Sequence, residues 1–446
     1  MMLGKPAAAL RFTPHAQASR SHPFALKAVM APAASDISYD QAAGPLPAIT
    51  PRGAPELPPQ VRDSSQLKVT SRQGSVEPYT LVEGPEAWYG RDYQHNIDQW
   101  AITLSETHIA ELDAAIERVL ANKTITQEGN YLHLINSVTK EDFPLETLGP
   151  ILKEVQQEVL RGRGFALLRG LPVERWSRQQ TLIAYWGIGL HWGNLRRQNE
   201  KAHLIGHVKD VGVDSKHHNP TTRIYLTSVA QPWHVDGTDV VGLLCLKTAK
   251  AGGKSSLASS VTIHNELLKR DPEIVKTLAG TWYMDRKNEV PEGKLPYYVL
   301  PVVHYHQGYL ATSFNDTYYQ LAATPGRHPG VPPLTDAQVK ALAAYREVAD
   351  SVALDFWLQP GDLQLVHNHT QVHNRSAYED YEDVDQRRHL LRLWIAPSAE
   401  DGAFPLHDSF AELWHSTQPG NRGGIYIEGY TETIPLEAEV GNKLAT

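Results

Sequence analysis

The segment GDLQLVHNHTQVHNRSAYED (residues 361–380) and, shortly after it, RRHLLRLWIAPS (387–398) decide how this chain folds. Within them, LQLVH and LLRLWIA are short apolar runs beside turn residues, as expected of buried strands. Comparable runs upstream are RIYLTSVA (223–230), VVGLLCL (240–246) and ALDFWL (353–358). Many short strands separated by glycine and proline turns predict a β-sandwich or jelly roll.

Amphipathic helices flank these strands. Apolar residues fall on one helical face between Ser105 and Leu120, with Ser105 placed to cap the helix. A second helix near Leu145–Leu160 leads into a strand at Phe165–Leu168, and a third is expected around Thr335–Ala349. We therefore predict an α+β fold with a jelly-roll core, that is, a double-stranded β-helix, and flanking helices.

Composition excludes several classes of function. The 446 residues include 42 basic and 50 acidic ones, a formal charge of -8, so the chain offers no general attraction to nucleic acid. Cys245 is the only cysteine in the sequence, which excludes an internal disulfide and a cysteine-rich metal site. No apolar run reaches the roughly 18 to 20 residues that span a bilayer, so we expect neither a nucleic acid nor a membrane as a partner.

The N-terminal part of the chain differs from the rest. Ten of the 30 prolines fall within the first 60 residues, without helical or strand periodicity, so we expect residues 1–85 to be a disordered extension. Before Asp36 there are basic residues but no acidic one, which fits an organelle presequence in residues 1–35 as well as a plain disordered tail. We expect a cytoplasmic protein, or a mitochondrial one if this segment is a presequence.

A candidate metal site lies in QPWHVDGTD (231–239). His234 and Asp236 are two residues apart, so on an extended segment their side chains project to the same side and can bind one ion. Such a pair arises by chance in a chain with 21 histidines, so the hypothesis needs a third ligand. Two imidazoles and one carboxylate form the facial triad that holds iron(II) and leaves coordination positions open.

The opening segment supplies that third ligand, and here the chain resembles the taurine dioxygenase (TauD/TfdA-like) family. In that family a His-x-Asp pair is followed, after a long insert, by a distal histidine and then by two arginines spaced like Arg388 and Arg392. The resemblance makes His234, Asp236 and His373 the iron ligands. It covers roughly Gly164 to Pro397, and it could extend to the RGGI segment at Arg422–Ile425.

The same resemblance assigns the co-substrate contacts. Arg388 would bind the distal carboxylate of 2-oxoglutarate, because a guanidinium offers two parallel hydrogen bonds to a carboxylate. Ser255, in AGGKSS, would add a hydroxyl where the family more often has threonine. Arg392 would face the substrate or help to bind this carboxylate of 2-oxoglutarate. If it faces the substrate pocket it needs a partner, so we expect an anionic group on the substrate.

The resemblance also implies the reaction. The cofactor would be Fe(II), with 2-oxoglutarate and dioxygen as co-substrates. Oxidative decarboxylation to succinate would be coupled to hydroxylation, or desaturation, of a small organic molecule. The dioxygenase domain would span residues 86–446, with a core at about 164–397, and family members often form homo-oligomers.

Several alternatives remain open from the residues alone. His367 and His369 share strand parity with His373, so either could be the third ligand. Arg375 could steady a metal ligand through a carboxylate or form a surface ion pair with an acidic residue such as Asp380. The same three ligands could serve a β-barrel hydrolase or lyase with zinc or manganese, or a relative that binds an acid without turning it over.

Overall fold

The computed structural model describes residues 54–57, 67–70, 72–212 and 221–439. Much of the expected N-terminal extension, and all of the candidate presequence in residues 1–35, lie outside these described residues. Within them, no helix combines the length and the apolar character needed to cross a membrane.

The described residues form many short strands and a smaller number of helices. The strands, in chain order, are β1 (Val69–Thr70), β2 (Leu81–Val82), β3 (Ala101–Thr103), β4 (Thr126–Glu128), β5 (Tyr131–His133), β6 (Phe165–Arg169), β7 (Asn194–Leu195), β8 (Gly206–Lys209), β9 (Gln231–His234), β10 (Val240–Lys247), β11 (Ala251–Gly252), β12 (Ser255–Ser259), β13 (Tyr283–Asp285), β14 (Tyr297–Val299), β15 (Val303–His306), β16 (Tyr309–Thr312), β17 (Leu354–Phe356), β18 (Leu363–His367), β19 (Gln371–Arg375), β20 (Tyr378–Glu379), β21 (His389–Ala396) and β22 (Ile434–Pro435). The helices are α1 (Gly90–Tyr93), α2 (Glu106–Asn122), α3 (Leu148–Arg161), α4 (Arg178–Leu190), α5 (Ser260–Arg270), α6 (Pro272–Leu278), α7 (Asp316–Ala322), α8 (Asp336–Val352) and α9 (Ala411–Trp414).

Two sheets form the centre of the fold. The larger has the strand order β3-β6-β18-β10-β21-β7, with β8 also paired to β21, and the smaller has the order β17-β12-β19-β9. Apart from the parallel pair β3 and β6, neighbouring strands in these sheets are antiparallel. A core cluster that draws residues from both sheets fills the space between them. The predicted jelly-roll core with flanking helices is confirmed.

Side chains alternate between the two faces of the larger sheet. Along β21, Leu391 and Leu393 pack towards the helices, whereas Leu390 and Trp394 face the smaller sheet. Arg392 has the parity of Leu390 and Trp394, so it also faces the smaller sheet. Because both faces are covered, every residue of β21 is buried, and its sequence reads as an almost continuous apolar run.

Helices cover the outer faces of both sheets. α2, α3 and α4 contribute to the cluster on the larger sheet, and α5, α6 and α8 to the cluster on the smaller one. The three helices predicted from periodicity are confirmed as α2, α3 and α8. Ser105 caps α2 and Thr335 caps α8, because each hydroxyl accepts a hydrogen bond from a backbone N–H of the first turn.

One expected strand does not form. RIYLTSVA (223–230) contains a 3-10 turn at Ile224–Leu226 instead of a strand. The carbonyl oxygens of Thr227 and Val229 accept hydrogen bonds from the guanidinium of Arg375 rather than from a neighbouring strand. The interpretation of this run as a strand was therefore wrong. Arg375, which is distant in sequence, donates to the carbonyl groups that would otherwise accept hydrogen bonds from a neighbouring strand.

The folded part of the chain begins before residue 86. Within residues 67–85 the structure has β1 and β2, which pair in parallel. Val76, Tyr79 and Val82 are buried in the cluster that covers the smaller sheet. These apolar side chains give this segment enough buried surface to be ordered.

A buried ion pair joins the C-terminal segment to the loop that follows Asp236. The guanidinium of Arg422 is fully buried, and its Nη2 lies 2.5 Å from Oδ1 of Asp239. The same carboxylate accepts from Nε2 of His369 at 2.9 Å. Burial would raise the pKa of Asp239, but Arg422 and His369 outweigh it and hold that pKa well below its usual range. The backbone N–H of Gly424 also donates to the carbonyl of Gly237 at 2.8 Å.

We expect Arg422→Met to lower the free energy of unfolding by about 3–5 kcal/mol, because it leaves the charge of Asp239 buried without its main partner. Urea unfolding measures the change. Lys340→Met is the control: it removes a surface ion pair with Asp271 and should cost less than about 1 kcal/mol. Equal costs for the two variants would mean that the buried pair does not hold this segment in place.

Candidate metal centre and active site

Two of the predicted ligands lie on adjacent strands of the smaller sheet. His234, at the end of β9, and His373, in β19, are directly opposite each other in the antiparallel pair. Directly opposite residues project from the same face of a sheet. The two ring centroids are 4.2 Å apart, so both imidazoles reach one point between the sheets.

Asp236 completes the group from the loop just after β9. Its backbone N–H donates to Oδ1 of Asn368 at 3.0 Å, which holds the loop against the larger sheet. Its Oδ2 lies 3.8 Å from Nε2 of His373. One ligand atom from each of His234, Asp236 and His373 lies within 4.8 Å of the others, the one such group of three in the described part of the chain.

The hydrogen bonds of His234 fix which of its ring nitrogens carries the lone pair that a metal could bind. Nδ1 of His234 lies 2.9 Å from the carbonyl oxygen of Pro232, which can only accept, so Nδ1 carries the proton. Nε2 is then unprotonated, and the side-chain amide of Gln231 donates to it at 2.9 Å. A hydrogen bond on one ring nitrogen that fixes the tautomer of the other is typical of metal-binding histidines.

Burial keeps both imidazoles neutral. Burial, and after it the neighbouring His234, lowers the pKa of His373 to about 3. Burial also lowers the pKa of His234. Burial would raise the pKa of Asp236, but Arg392 and the two imidazoles outweigh this and lower it. At neutral pH the site therefore offers two neutral nitrogens and one carboxylate, the protonation states in which these groups bind metals.

The two alternative histidine ligands lie elsewhere. His369 is bonded to Asp239 in the buried ion pair described above. His367 is fully buried, and its Nδ1 lies 3.1 Å from Oγ1 of Thr370. Neither belongs to the group of potential metal ligands. His367 is a structural histidine, whereas His369 lines a cavity together with His234 and Asp236 without offering a ligand atom to the group.

A cavity between the sheets leads from the three ligands to a pair of arginines. Its lining includes all six side chains singled out from the sequence, namely His234, Asp236, Ser255, His373, Arg388 and Arg392. Ser255 begins β12 and is paired with Arg375 on β19, so Arg375 lies on the cavity as well. The three potential ligands are thus at one end, and Ser255 with two guanidiniums is at the other.

These two guanidiniums, Arg375 and Arg388, are buried beside each other, and neither forms an ion pair with a carboxylate of the described residues. Both stack on the ring of Tyr378, with their Cζ atoms 4.6 and 5.3 Å from its centroid. Nε of Arg375 and Nη1 of Arg388 have no hydrogen-bond partner among the described residues. Burial, and then the charge of Arg388, lowers the pKa of Arg375 to about 10. Like charges held together in this way create a binding site for an anion.

The expectations for Arg375 were wrong. Only 7% of its surface is exposed, so it is not part of a surface ion pair. The nearby Asp380 accepts instead from the backbone N–H of Arg388 at 2.9 Å. Two nitrogens of Arg375 bond to backbone carbonyls of the 223–230 segment, and its third, unpaired nitrogen is left in the cavity wall.

Arg392 stands beside the potential metal ligands rather than beside Arg388. Its Nη1 donates to Oδ1 of Asp236 at 3.2 Å, and its Nε donates to Oε1 of Gln198 at 2.8 Å. The amide nitrogen of Gln198 in turn donates to the backbone carbonyls of Arg392 and Leu204. Gln198 therefore fixes the direction in which this guanidinium points.

A second cavity opens on the other side of the same ligands. It shares His234, Asp236 and Arg392 with the first cavity. Aromatic rings form much of its wall, and they belong to Tyr225, Trp233, Tyr298, Tyr318, Trp394, Phe410, Trp414 and Tyr426. A concave, largely apolar wall with a few polar groups is typical of a site for a small organic ligand.

The residues present fit an iron(II) site. Two neutral imidazole nitrogens and one carboxylate are the ligand set of the facial triad in non-haem iron oxygenases. The ligand atoms converge, their protonation states are suitable, and two cavities meet at them. Fold and site together define the class of jelly-roll, non-haem iron oxygenases.

Comparison with known proteins gives the same result. The family model described as taurine catabolism dioxygenase TauD, TfdA family matches residues 129–394. FR-33289 synthase of Streptomyces rubellomurinus is 31% identical over 318 residues, covering 70% of this chain and 90% of the relative. The taurine hydroxylase-like protein SAT17 of Stachybotrys chartarum is 30% identical over 314 residues, covering 69% and 77%. A crystal structure of asparagine oxygenase with Fe(II), hydroxyasparagine and succinate has the same fold, with a TM-score of 0.50 and 16% identity over 66% of this chain and 93% of that chain.

This chain belongs to the TauD, TfdA family. It is an oxidoreductase, an iron(II)- and 2-oxoglutarate-dependent dioxygenase that acts on a small organic substrate, as the resemblance predicted. The hydrolase, lyase and non-catalytic alternatives are thereby set aside. When bound, iron and 2-oxoglutarate supply the activation of dioxygen that amino-acid side chains cannot perform.

Sequence analysis missed some residues of the site. Arg375 has the same strand parity as His373, so alternation along β19 could have placed it in the cavity. Gln364, whose buried Oε1 has no partner among the described residues, lies in the same cavity wall. It lies in β18 of the opposite sheet, so only the pairing of the sheets brings it close, and no local sequence signal marks it.

We expect His373→Ala and Asp236→Ala each to weaken binding of manganese(II), an inert substitute for iron(II), by about 100-fold or more, since even loss of an outer partner of a ligand costs 10–100-fold. Calorimetric titration measures the affinity. His95→Ala, which removes an exposed histidine, is the control and should bind the metal like the wild type. Unchanged affinity in both ligand variants would show that the metal binds elsewhere.

Proposed function

We propose that His234, Asp236 and His373 hold the iron, and that 2-oxoglutarate lies in the cavity between these ligands and Arg388. The substrate would occupy the aromatic cavity on the other side. Hydroxylation of a small organic molecule that carries an anionic group is the activity that this arrangement supports best.

The observation that carries the proposal is the buried pair of guanidiniums, which form no ion pair with a carboxylate among the described residues. An unpaired buried charge is costly, and each of these two cavity-lining arginines has a buried nitrogen without a hydrogen-bond partner in that part of the chain. A dicarboxylic acid that approaches the metal with one end would bring its other carboxylate to this pair. Arg388 would donate the main hydrogen bonds, with Ser255 and the Nε of Arg375 as additional donors.

Arg392 has a different task in this proposal. It holds Oδ1 of Asp236, while Oδ2 is the oxygen on the side of His373. Asp236 would then bind the metal through one oxygen only, which leaves more of the coordination sphere for the co-substrate and dioxygen. With the charge of Asp236 shared with a metal, Arg392 could also attract an anionic substrate from the second cavity, whose wall it joins.

The remaining residues of the site would orient the reactants and keep water out. The proposed substrate cavity is lined by the side chains of Tyr318, Trp394 and Trp414. They give an apolar surface against which the substrate can be held close to the metal ligands. Exclusion of water from the site prevents side reactions of the activated oxygen.

We expect Arg388→Lys to raise the KM for 2-oxoglutarate by about 10- to 100-fold. The ammonium group of lysine cannot form the bidentate hydrogen bonds that a guanidinium makes with a carboxylate, so one or more charged hydrogen bonds are lost. The assay is succinate formation by the purified protein with iron(II), ascorbate and dioxygen.

Arg387→Lys is the matched control for this measurement. Its guanidinium bonds to the carbonyls of Tyr381 and Asp210 and does not line the cavity, so its KM should stay within about twofold of the wild type. A KM that is unchanged in Arg388→Lys as well would assign the distal carboxylate to another residue.

A further inference from the structure

A buried lysine stands in the wall of the substrate cavity. Lys287 is the second residue after the end of β13, and only 7% of its surface is exposed. It lines the aromatic cavity together with His234 and Asp236. Its Nζ lies 4.5 Å from the ring centroid of Tyr318, another residue of the cavity wall. Neither the metal site nor the 2-oxoglutarate cavity uses this lysine.

The ammonium group of Lys287 has no anionic partner within the described residues. Asp285 is close enough to act on its charge, but that carboxylate is bonded to Arg327 at 2.5 Å and to His328 at 2.6 Å. Burial, and then the charge of Arg223, lowers the pKa of Lys287 to about 8. The cation–π contact with the ring of Tyr318 offsets only part of the free-energy cost of burying this charge.

The other charges of the cavity do not neutralise it. Glu289 is bonded to the guanidinium of Arg223. Asp236 is a ligand of the metal in the proposed function and already accepts from Arg392. Once these acids are engaged, the cavity wall has an excess of positive charge, and Lys287 is the cation in it whose side-chain nitrogen lacks a hydrogen bond among the described residues.

The backbone holds Lys287 in an unusual conformation. Lys287 and Asn288 have φ angles of 51° and 69°. These values lie in the left-handed region of backbone conformation, which residues other than glycine rarely adopt. Such residues cost on the order of 1–3 kcal/mol each and occur often at ligand sites. The buried Oδ1 of Asp285 accepts from the backbone N–H of Lys287 at 2.5 Å, which stabilises the turn. The turn places the lysine in the cavity wall instead of in solvent.

We infer that Lys287 determines substrate specificity by binding an oxyanion of the substrate, such as a carboxylate, sulfonate, phosphonate or phosphate group. This inference rests on the proposed function, since it takes the aromatic cavity as the substrate site. The apolar part of the same molecule would lie against Trp394 and Trp414. Arg392 lies beside the metal ligands, so Lys287 would be a separate anchor, on another part of the cavity wall.

The test is direct binding to protein saturated with manganese(II) and 2-oxoglutarate, so that the Arg388 end of the site is already filled. The probes are phenylacetate, benzenesulfonate and phenylphosphonate, with neutral phenylacetamide for comparison, titrated by calorimetry. We expect at least one acid to bind and the amide to bind at least about tenfold more weakly. The preferred acid would identify the kind of oxyanion.

Variants connect this binding to the lysine. Lys287→Met should weaken binding of that acid at least about tenfold, and Lys287→Arg, which keeps the charge, should restore most of it. Lys287→Gln serves instead of the methionine variant if the latter does not fold. Lys269→Met, which removes a surface lysine paired with Glu266, is the control and should bind like the wild type.

The inference is overturned if no acid binds the wild type, if the amide binds as well as the acids, or if both neutral variants keep the wild-type affinity. Failure of the proposed function gives a different result. In that case the wild type does not take up 2-oxoglutarate in the presence of manganese(II), before any probe is added.

Discussion

The alternation of side chains along the strands is the constraint on which the site depends. In β21 and β19 the residues of one parity face the helices, and those of the other parity face the opposite sheet. Arg392 shares the inward parity of its strand with Leu390 and Trp394, and His373 shares that of its strand with Arg375. The same space between the sheets therefore contains an apolar core along part of its length and the polar site along the rest.

Such a site has a cost that the rest of the fold must offset. Arg375 and Arg388 are two buried cations side by side, and Lys287 is a third in a strained turn. Helices on both outer faces bury large apolar clusters, and the Asp239–Arg422 pair fixes the C-terminal segment beside the loop of Asp236. Buried charges that lack an ion-pair partner among the described residues, inside a stable framework, suit the binding of an anionic co-substrate such as 2-oxoglutarate.

Local sequence patterns predicted the elements whose determinants are local. The cap at Ser105, the helix that starts near Thr335 and the His-x-Asp spacing could be recognised from neighbouring residues alone. Recognition of His373 and of the arginine pair needed the resemblance to a family, because periodicity does not distinguish His373 from His367 and His369. Properties that depend on distant contacts could not be predicted. The strand expected at residues 223–230 is lost to hydrogen bonds from Arg375, and Lys287 lines one cavity with Asp236 only because the turn after β13 lies beside the loop after β9.

In the proposed site, one cavity holds the metal at His234, Asp236 and His373 and the distal carboxylate of 2-oxoglutarate at Arg388. The decisive experiment is a crystal structure of the protein with manganese(II) and 2-oxoglutarate, with anomalous scattering recorded for the metal. We expect an anomalous peak bonded to the three side chains, and a carboxylate bound by Arg388 within hydrogen-bond distance of Ser255. A peak at other residues, or a 2-oxoglutarate carboxylate bound by Lys287 in the aromatic cavity, would rule out this arrangement.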